Sequence, residues 1–310
     1  MIQINILAHN SDRIIYTLKS IDFLKLINNK DKIKVVICYG ENSDIWINKV
    51  NELNMIGINS EARFIPNGGN NYMDKIESLV ESDCEYSCSM DDDILISNYL
   101  WNYMIENINI LDDESNLFLT PLISNGIPSV EMFIEDFCDE NDKKTIYDIF
   151  KNTKIDNYWG VDYTSLNYHK LEWDRSVFYN KVSELNHYYK GIHPVRISLE
   201  AHSTISNIIC NNKEKVVESN NFFLEKYKLP YFCNSFYFIK TSTWKKIINN
   251  KSLFRDPYDE VPLNIYRESN DLNMVFVRNG FCLHMAYNTI NTNNQKNIEK
   301  YYIENFIKKI

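Results

Sequence analysis

The sequence predicts an α/β fold: a mixed, mostly parallel sheet flanked by helices, with a mainly helical region inserted on one side. Three observations carry this expectation. Between residues 3 and 90, strand-like apolar runs alternate with segments of helical periodicity, the pattern of consecutive βαβ units. One run, Lys34-Val35-Val36-Ile37-Cys38-Tyr39, is apolar and β-branched along most of its length, as suits a parallel strand covered on both faces. Another, Tyr86-Ser87-Cys88-Ser89-Met90, alternates with period two and stops at Asp91-Asp92-Asp93, so acidic groups emerge at the carboxyl end of a strand.

The elements follow in order. Residues 3–8 read as a buried first strand, and His9 to Arg13 as a polar loop opening a helix with an apolar stripe of Ile14, Ile15, Leu18, Ile21 and Leu24. The second strand closes at Gly40-Glu41-Asn42-Ser43-Asp44, a second helix covers 45–53, and Arg63-Phe64-Ile65 is a short third strand. Asn67-Gly68-Gly69-Asn70-Asn71 is a turn rich in residues that accept positive φ, and it opens a helix over 72–80. After the acidic triplet, Ile94, Leu95, Tyr99, Leu100, Tyr103 and Met104 recur at helical spacing, which predicts a helix over 94–108. Further on, residues 232–239 alternate as a strand, Lys240 to Thr243 offers a polar cap, and a helix starts at Trp244. Residues 273–284 read as two short strands across an Asn279-Gly280 hairpin turn ending at His284.

Composition bounds the function. With 310 residues, 44% hydrophobic and 14% aromatic, the chain can bury a full core. A net charge of −9 argues against a nucleic-acid binder working through a broad basic face. The seven cysteines are odd in number and lack paired metal spacing, so they read as buried thiols of a reducing cytoplasm. The first residues turn polar at His9 and Asn10 too early for a signal peptide, and no apolar run has membrane-spanning length. The expected location is the cytoplasm, with peripheral contact at the inner membrane face left open.

Three adjacent carboxylates repel one another, and a hard cation such as Mg²⁺ or Mn²⁺ holds such groups together beside a ligand's phosphates. The bland alternative is that Asp91, Asp92 and Asp93 only cap and charge-match the following helix. At this level both stand.

The order of the first strand with His9-Asn10-Ser11-Asp12-Arg13, the second strand with its Gly40 to Asp44 loop, the Asn67 to Asn71 turn and the strand ending in Asp91-Asp92-Asp93 resembles the GT-A glycosyltransferases, most of all the inverting family 2-like group. The resemblance implies a nucleotide-sugar-dependent transferase whose DxD motif is Asp91-Asp92-Asp93. Asp91 would contact the donor ribose and the metal, Asp92 would fill the variable middle position, and Asp93 would be the direct metal ligand. It further implies donor contacts from His9, Asn10, Arg13, Gly68 and Gly69. Where the family carries an acidic pair after the second strand this chain has Cys38 and Tyr39, so either Tyr39 stacks on the base with Asp44 as its polar contact, or Tyr39 belongs to the core. In Asp259-Glu260, ahead of Leu263 and Arg267, the resemblance implies a catalytic base, Glu260 first and Asp259 second. His284 falls where the family returns a histidine to the metal or donor phosphates, and an imidazole beside a carboxylate suits Mn²⁺ over Mg²⁺. The implied partners are a nucleotide-sugar donor, a UDP-sugar first, and a saccharide or lipid-linked saccharide acceptor of bacterial surface polysaccharide or lipooligosaccharide type. A sugar nucleotidyltransferase or a non-catalytic sugar-binding protein of the same fold is the alternative.

The divisions are 1–125 for the donor-binding half, 126–230 for the insert, 231–294 for the returning sheet with the catalytic loop, and 295–310 for a tail. In the insert, Tyr158, Trp159, Tyr163, Tyr168 and Trp173 either stack on sugars or fill a helical core, and Lys190, His193 and Arg196 form a basic cluster suited to a phosphate. The tail spaces Ile298, Tyr302, Phe306 and Ile310 four apart among lysines, an amphipathic helix for its own domain, a second copy or a membrane surface.

Overall fold

A computed structural model describes residues 1–8, 14–22, 24, 27–41, 43–65, 79, 83–123, 129–152, 199–216, 220–228, 235–250 and 260–284. The elements, in chain order, are β1 (Ile2–Ala8), α1 (Ile14–Asp22), β2 (Ile33–Tyr39), α2 (Ser43–Met55), β3 (Asn59–Phe64), β4 (Tyr86–Asp91), β5 (Ile94–Leu95), α3 (Asn98–Glu106), β6 (Asn116–Ile123), α4 (Ser129–Phe137), α5 (Glu140–Asn152), α6 (Leu199–Asn211), α7 (Lys213–Val216), β7 (Phe223–Tyr227), β8 (Phe236–Lys240), α8 (Thr241–Asn249), α9 (Glu260–Ser269) and β9 (Asn273–His284).

The strands form one mixed sheet in the order β3-β2-β1-β4-β8-β6-β9-β5, with β7 also on β9. β1, β2, β3, β4, β6 and β9 run one way, and β5, β7 and β8 run the other. β1 and β2 are buried nearly throughout, which explains their lack of alternation: Ile4, Ile6, Val35 and Ile37 pack on one face, and Leu7, Val36 and Cys38 pack with Ile65 and Leu79 on the other. On one face, Ile4, Ile6, Val35, Ile37, Cys88 and Met90 pack with Trp46, Leu53, Leu100 and Trp101 from α2 and α3. On the other, Phe118, Tyr237, Met274 and Phe276 pack with Phe133 and Phe137 of α4, Phe150 of α5, Ile205 of α6 and Trp244 of α8. Helix α2 ends in a left-handed Gly57 (φ 82°), where Ile58 N–H donates to Leu53 C=O at 3.0 Å; the missing Cβ permits that conformation.

β1 connects to β2 on one side, whereas β4 joins β1 on its other side, in parallel register from Ile2↔Tyr86 to Leu7↔Asp91. The strand order therefore reverses between β1 and β4, and the crevice at their carboxyl ends is where open α/β sheets take their ligands. Asp91 is the last residue of β4.

Four expectations are corrected. No helix begins at Ile94: Ile94 and Leu95 form β5, antiparallel to Leu283 and His284, and α3 starts at Asn98. The helix-like spacing of Ile94 and Leu95 reflects cross-strand burial rather than a helix face. The Asn279-Gly280 pair does not reverse the chain, because β9 stays parallel to β6 on both sides of it, with Val277 opposite Pro121 and Phe281 opposite Leu122. Residues 278–280 are instead a bulge, and the left-handed Asn279 (φ 56°) serves that bulge. Finally, α8 has Lys240 at its N-cap with no side-chain cap. Within α1, Ile15 is exposed, and Tyr16, Thr17, Ser20 and Ile21 form the buried face. The turn at 67–71, the helix over 72–80 apart from Leu79, the aromatic and basic residues of 153–198 and the tail lie outside the described residues. Of the region 126–230, the described parts are α4 to α7 and β7, and β7 belongs to the sheet.

Candidate functional site

Asp91 ends β4 with its N–H donating to Ser235 C=O at 2.9 Å, and its carboxylate accepts a hydrogen bond from the Ser235 hydroxyl. The chain then turns through Asp92 and Asp93 into β5. The Ser20 hydroxyl of α1 donates to Asp92 C=O at 2.6 Å, tying the turn to the first helix. Antiparallel pairing of β5 with the end of β9 sets His284 opposite Ile94, one residue from Asp93. The result is a compact triad: His284 Nε2 is 3.0 Å from Asp93 Oδ1 and 3.7 Å from Asp91 Oδ2.

The aspartates do not cap a helix. The N-cap of α3 is Ser97, whose hydroxyl accepts from Leu100 N–H at 3.3 Å, and the acidic triplet precedes it by a strand. Asp92 and Asp93 are buried, Asp91 is partly open, and burial raises the Asp91 pKa from 3.8 to about 7. His284 opposes that rise, while Asp93 and Asp92 add to it. Carboxylates crowded and desolvated in this way favour binding a proton or a cation.

One ligand atom from each of Asp91, Asp93 and His284 lies within 4.8 Å of the others. Adjacent ligands of an octahedral ion with bonds of about 2.1 Å stand about 3 Å apart, which the His284–Asp93 contact of 3.0 Å matches and the His284–Asp91 contact of 3.7 Å exceeds. Two carboxylates and one imidazole form a mixed hard and borderline donor set, compatible with Mn²⁺ or Mg²⁺. Among the described residues this is the one group of three or more His, Cys, Asp or Glu side chains so arranged.

The remaining expected residues divide by location. Tyr39, at the carboxyl end of β2 beside Ala8, is buried, with its ring 5.6 Å from that of Phe64 at a tilt of 54°. Asp44 is exposed in the first turn of α2. Glu260 is the first residue of α9. His9, Asn10, Arg13, Gly68, Gly69, Lys190, His193, Arg196 and Asp259 lie outside the described residues. Sequence reasoning missed Ser20 and Ser235, because a single serine in a helix or ahead of a strand carries no pattern.

No protein-family model matches the chain, and no curated protein matches it. Among solved structures, it is similar to the mannosyltransferase PcManGT of Pyrobaculum calidifontis in complex with GDP-Man and Mn²⁺, at 11% identity and a TM-score of 0.32, over 40% of this chain and 36% of that one. It is also similar to S. aureus TarS (residues 1–349), at 15% identity and a TM-score of 0.33, over 39% and 35%. A third similarity is to the galactosyltransferase LgtC with donor and acceptor sugar analogues, at 10% identity and a TM-score of 0.38, over 91% and 72%. The chain thus spans about a third of the first two structures.

Proposed function

We propose that the chain is a metal-dependent GT-A-type glycosyltransferase that moves a sugar from a nucleoside-diphosphate donor to a saccharide or lipid-linked saccharide. The observation that carries this reading is the convergence of Asp91, Asp93 and His284 at the reversal of strand order between β1 and β4. A donor diphosphate needs its charge neutralised as it leaves; Asp91, Asp93 and His284 are the residues that would hold a divalent cation, and such a cation would supply that neutralisation. Asp91, the most open of the three, is suited to reach the donor ribose as well.

The chain's own groups have two further tasks in this proposal. Glu260, or Asp259 beside it, accepts the proton of the acceptor hydroxyl as its oxygen attacks the anomeric carbon. Attack from the face opposite the leaving diphosphate inverts the anomeric configuration, in line with the family resemblance. Tyr39 and Asp44, at the ends of the neighbouring strand and helix, flank the side where a nucleoside would lie.

The test is thermal unfolding with Mn²⁺ against UDP, GDP, CMP, TDP and ADP, followed by transfer assays with the sugar donor of whichever nucleotide binds. A midpoint rise for one nucleotide that requires Mn²⁺ and disappears in Asp93→Ala supports the reading. A folded Asp93→Ala protein with full metal-dependent turnover refutes it.

A further inference from the structure

The position of His284 is decided upstream in β9. Successive strand residues face opposite sides of a sheet. Ahead of the bulge, Val275 and Val277 join the cluster that contains α2 and α3, while Met274 and Phe276 join the opposite one. Beyond the bulge this is inverted, with Cys282 in the first cluster and Phe281 and Leu283 in the second. Residues 278–280 therefore shift the strand's phase. Without that shift, His284 and Leu283 would exchange faces, and an imidazole would point into an apolar core.

A dedicated clamp holds the bulge. Arg278, 7% exposed, donates from Nε to both carboxylate oxygens of Asp136 on α4 at 3.2 and 3.0 Å, and from Nη2 to Asp136 again. Its Nη1 donates to Glu225 at 2.5 Å and to the Tyr227 hydroxyl at 2.7 Å, both on β7, and Nη2 lies 3.3 Å from Glu135. Asp136 also accepts the Asn279 N–H at 3.0 Å, so one carboxylate fixes the guanidinium and the bulged backbone together. On the other face Gly280 leaves room for Leu100, whose Cδ1 would be 2.6 Å from an added Cβ.

We propose that Arg278 and Asp136 are positioning residues for His284: by locking the phase of β9 they set the imidazole against Asp93. This rests on the proposed reading of Asp91, Asp93 and His284 as a transferase metal centre. Neither residue touches the triad, and their effect passes through the strand.

The test uses the full chain with ¹³C-labelled histidine. The His284 ring signal, assigned by its loss in His284→Gln among the six histidines, is followed in metal-free protein at one pH. In Asp136→Asn the His284 signal moves while the other five stay, and Mn²⁺ binds about tenfold more weakly, the lower end of what residues supporting metal ligands contribute. In a His284→Gln background the same substitution leaves Mn²⁺ affinity unchanged, because its effect passes through His284. Arg278→Lys, which keeps the charge and loses the planar fork, gives the same pattern and serves if Asp136→Asn does not fold. An unmoved His284 signal in a folded variant, or an equal affinity loss without His284, overturns the proposal. A moved signal in a protein whose wild type binds no Mn²⁺ upholds the positioning role and refutes the metal-centre reading instead.

Discussion

In metal-free protein, Asp91→Asn should remove a pH-dependent cost of folding. Burial, with Asp92 and Asp93 beside it, raises the Asp91 carboxyl from 3.8 to about 7. Between those values the folded chain holds a proton that the unfolded chain has released, so stability falls as pH rises through this window and levels off above it. At about 1.4 kcal/mol per tenfold change in the equilibrium, the full rise corresponds to about 4 kcal/mol. The Asp91 side chain is 30% exposed, and water screens part of this, leaving about 2 kcal/mol. Urea unfolding in EDTA at a series of pH values from 4.5 to 8 measures it. Asp91→Asn should lie nearest wild type at pH 4.5 and exceed it by about 2 kcal/mol at pH 8. Parallel pH profiles for the two proteins would refute the reasoning. Excess Mn²⁺ should reverse the wild-type trend, since at a hundred times its Kd it stabilises by about 2.7 kcal/mol and binds the ionised site.

Other perturbations test the site and its support. His284→Ala should lose most Mn²⁺-dependent stabilisation and move the Asp91 titration upward, because His284 lowers it more than the Ser235 hydroxyl does; a calorimetric titration and an NMR pH series read the two effects. Gly280→Ala should cost about 1–3 kcal/mol through overpacking against Leu100 and Val277, seen as a lower urea midpoint; an unshifted midpoint would mean the bulge relaxes freely. Trp101→Ala should cost about 3–5 kcal/mol, since its buried ring stacks at 5° to Phe236, 6.3 Å away, and joins β8 to α3; near-native thermal stability would contradict that packing.

The N-terminal half was legible because its signals are local. β1, β2 and β4 announce themselves by unbroken or alternating apolar runs, and helix-connected parallel strands leave little choice of arrangement. The chain was misread where pairing partners are distant. β5 has two residues, and its state depends on Leu283 and His284, far along the chain. The Asn279-Gly280 pair suits positive φ, which Asn279 alone adopts, and only the parallel pairing with β6 distinguishes a bulge from a turn.

The candidate site shows the same division. Asp91, Asp92 and Asp93 could be located from the sequence alone, because strand period and strand end are written in consecutive residues. The sequence also supplied His284 as a candidate, through resemblance. Tertiary structure decided that the aspartates stand at the carboxyl end of β4, where strand order reverses, instead of capping a helix, that Ser20 and Ser235 secure their turn, and that His284 lies 3.0 Å from Asp93. Those outcomes depend on strand order and on the phase of β9, which are set by contacts between residues far apart in the chain; no local pattern of side chains encodes which of them will meet.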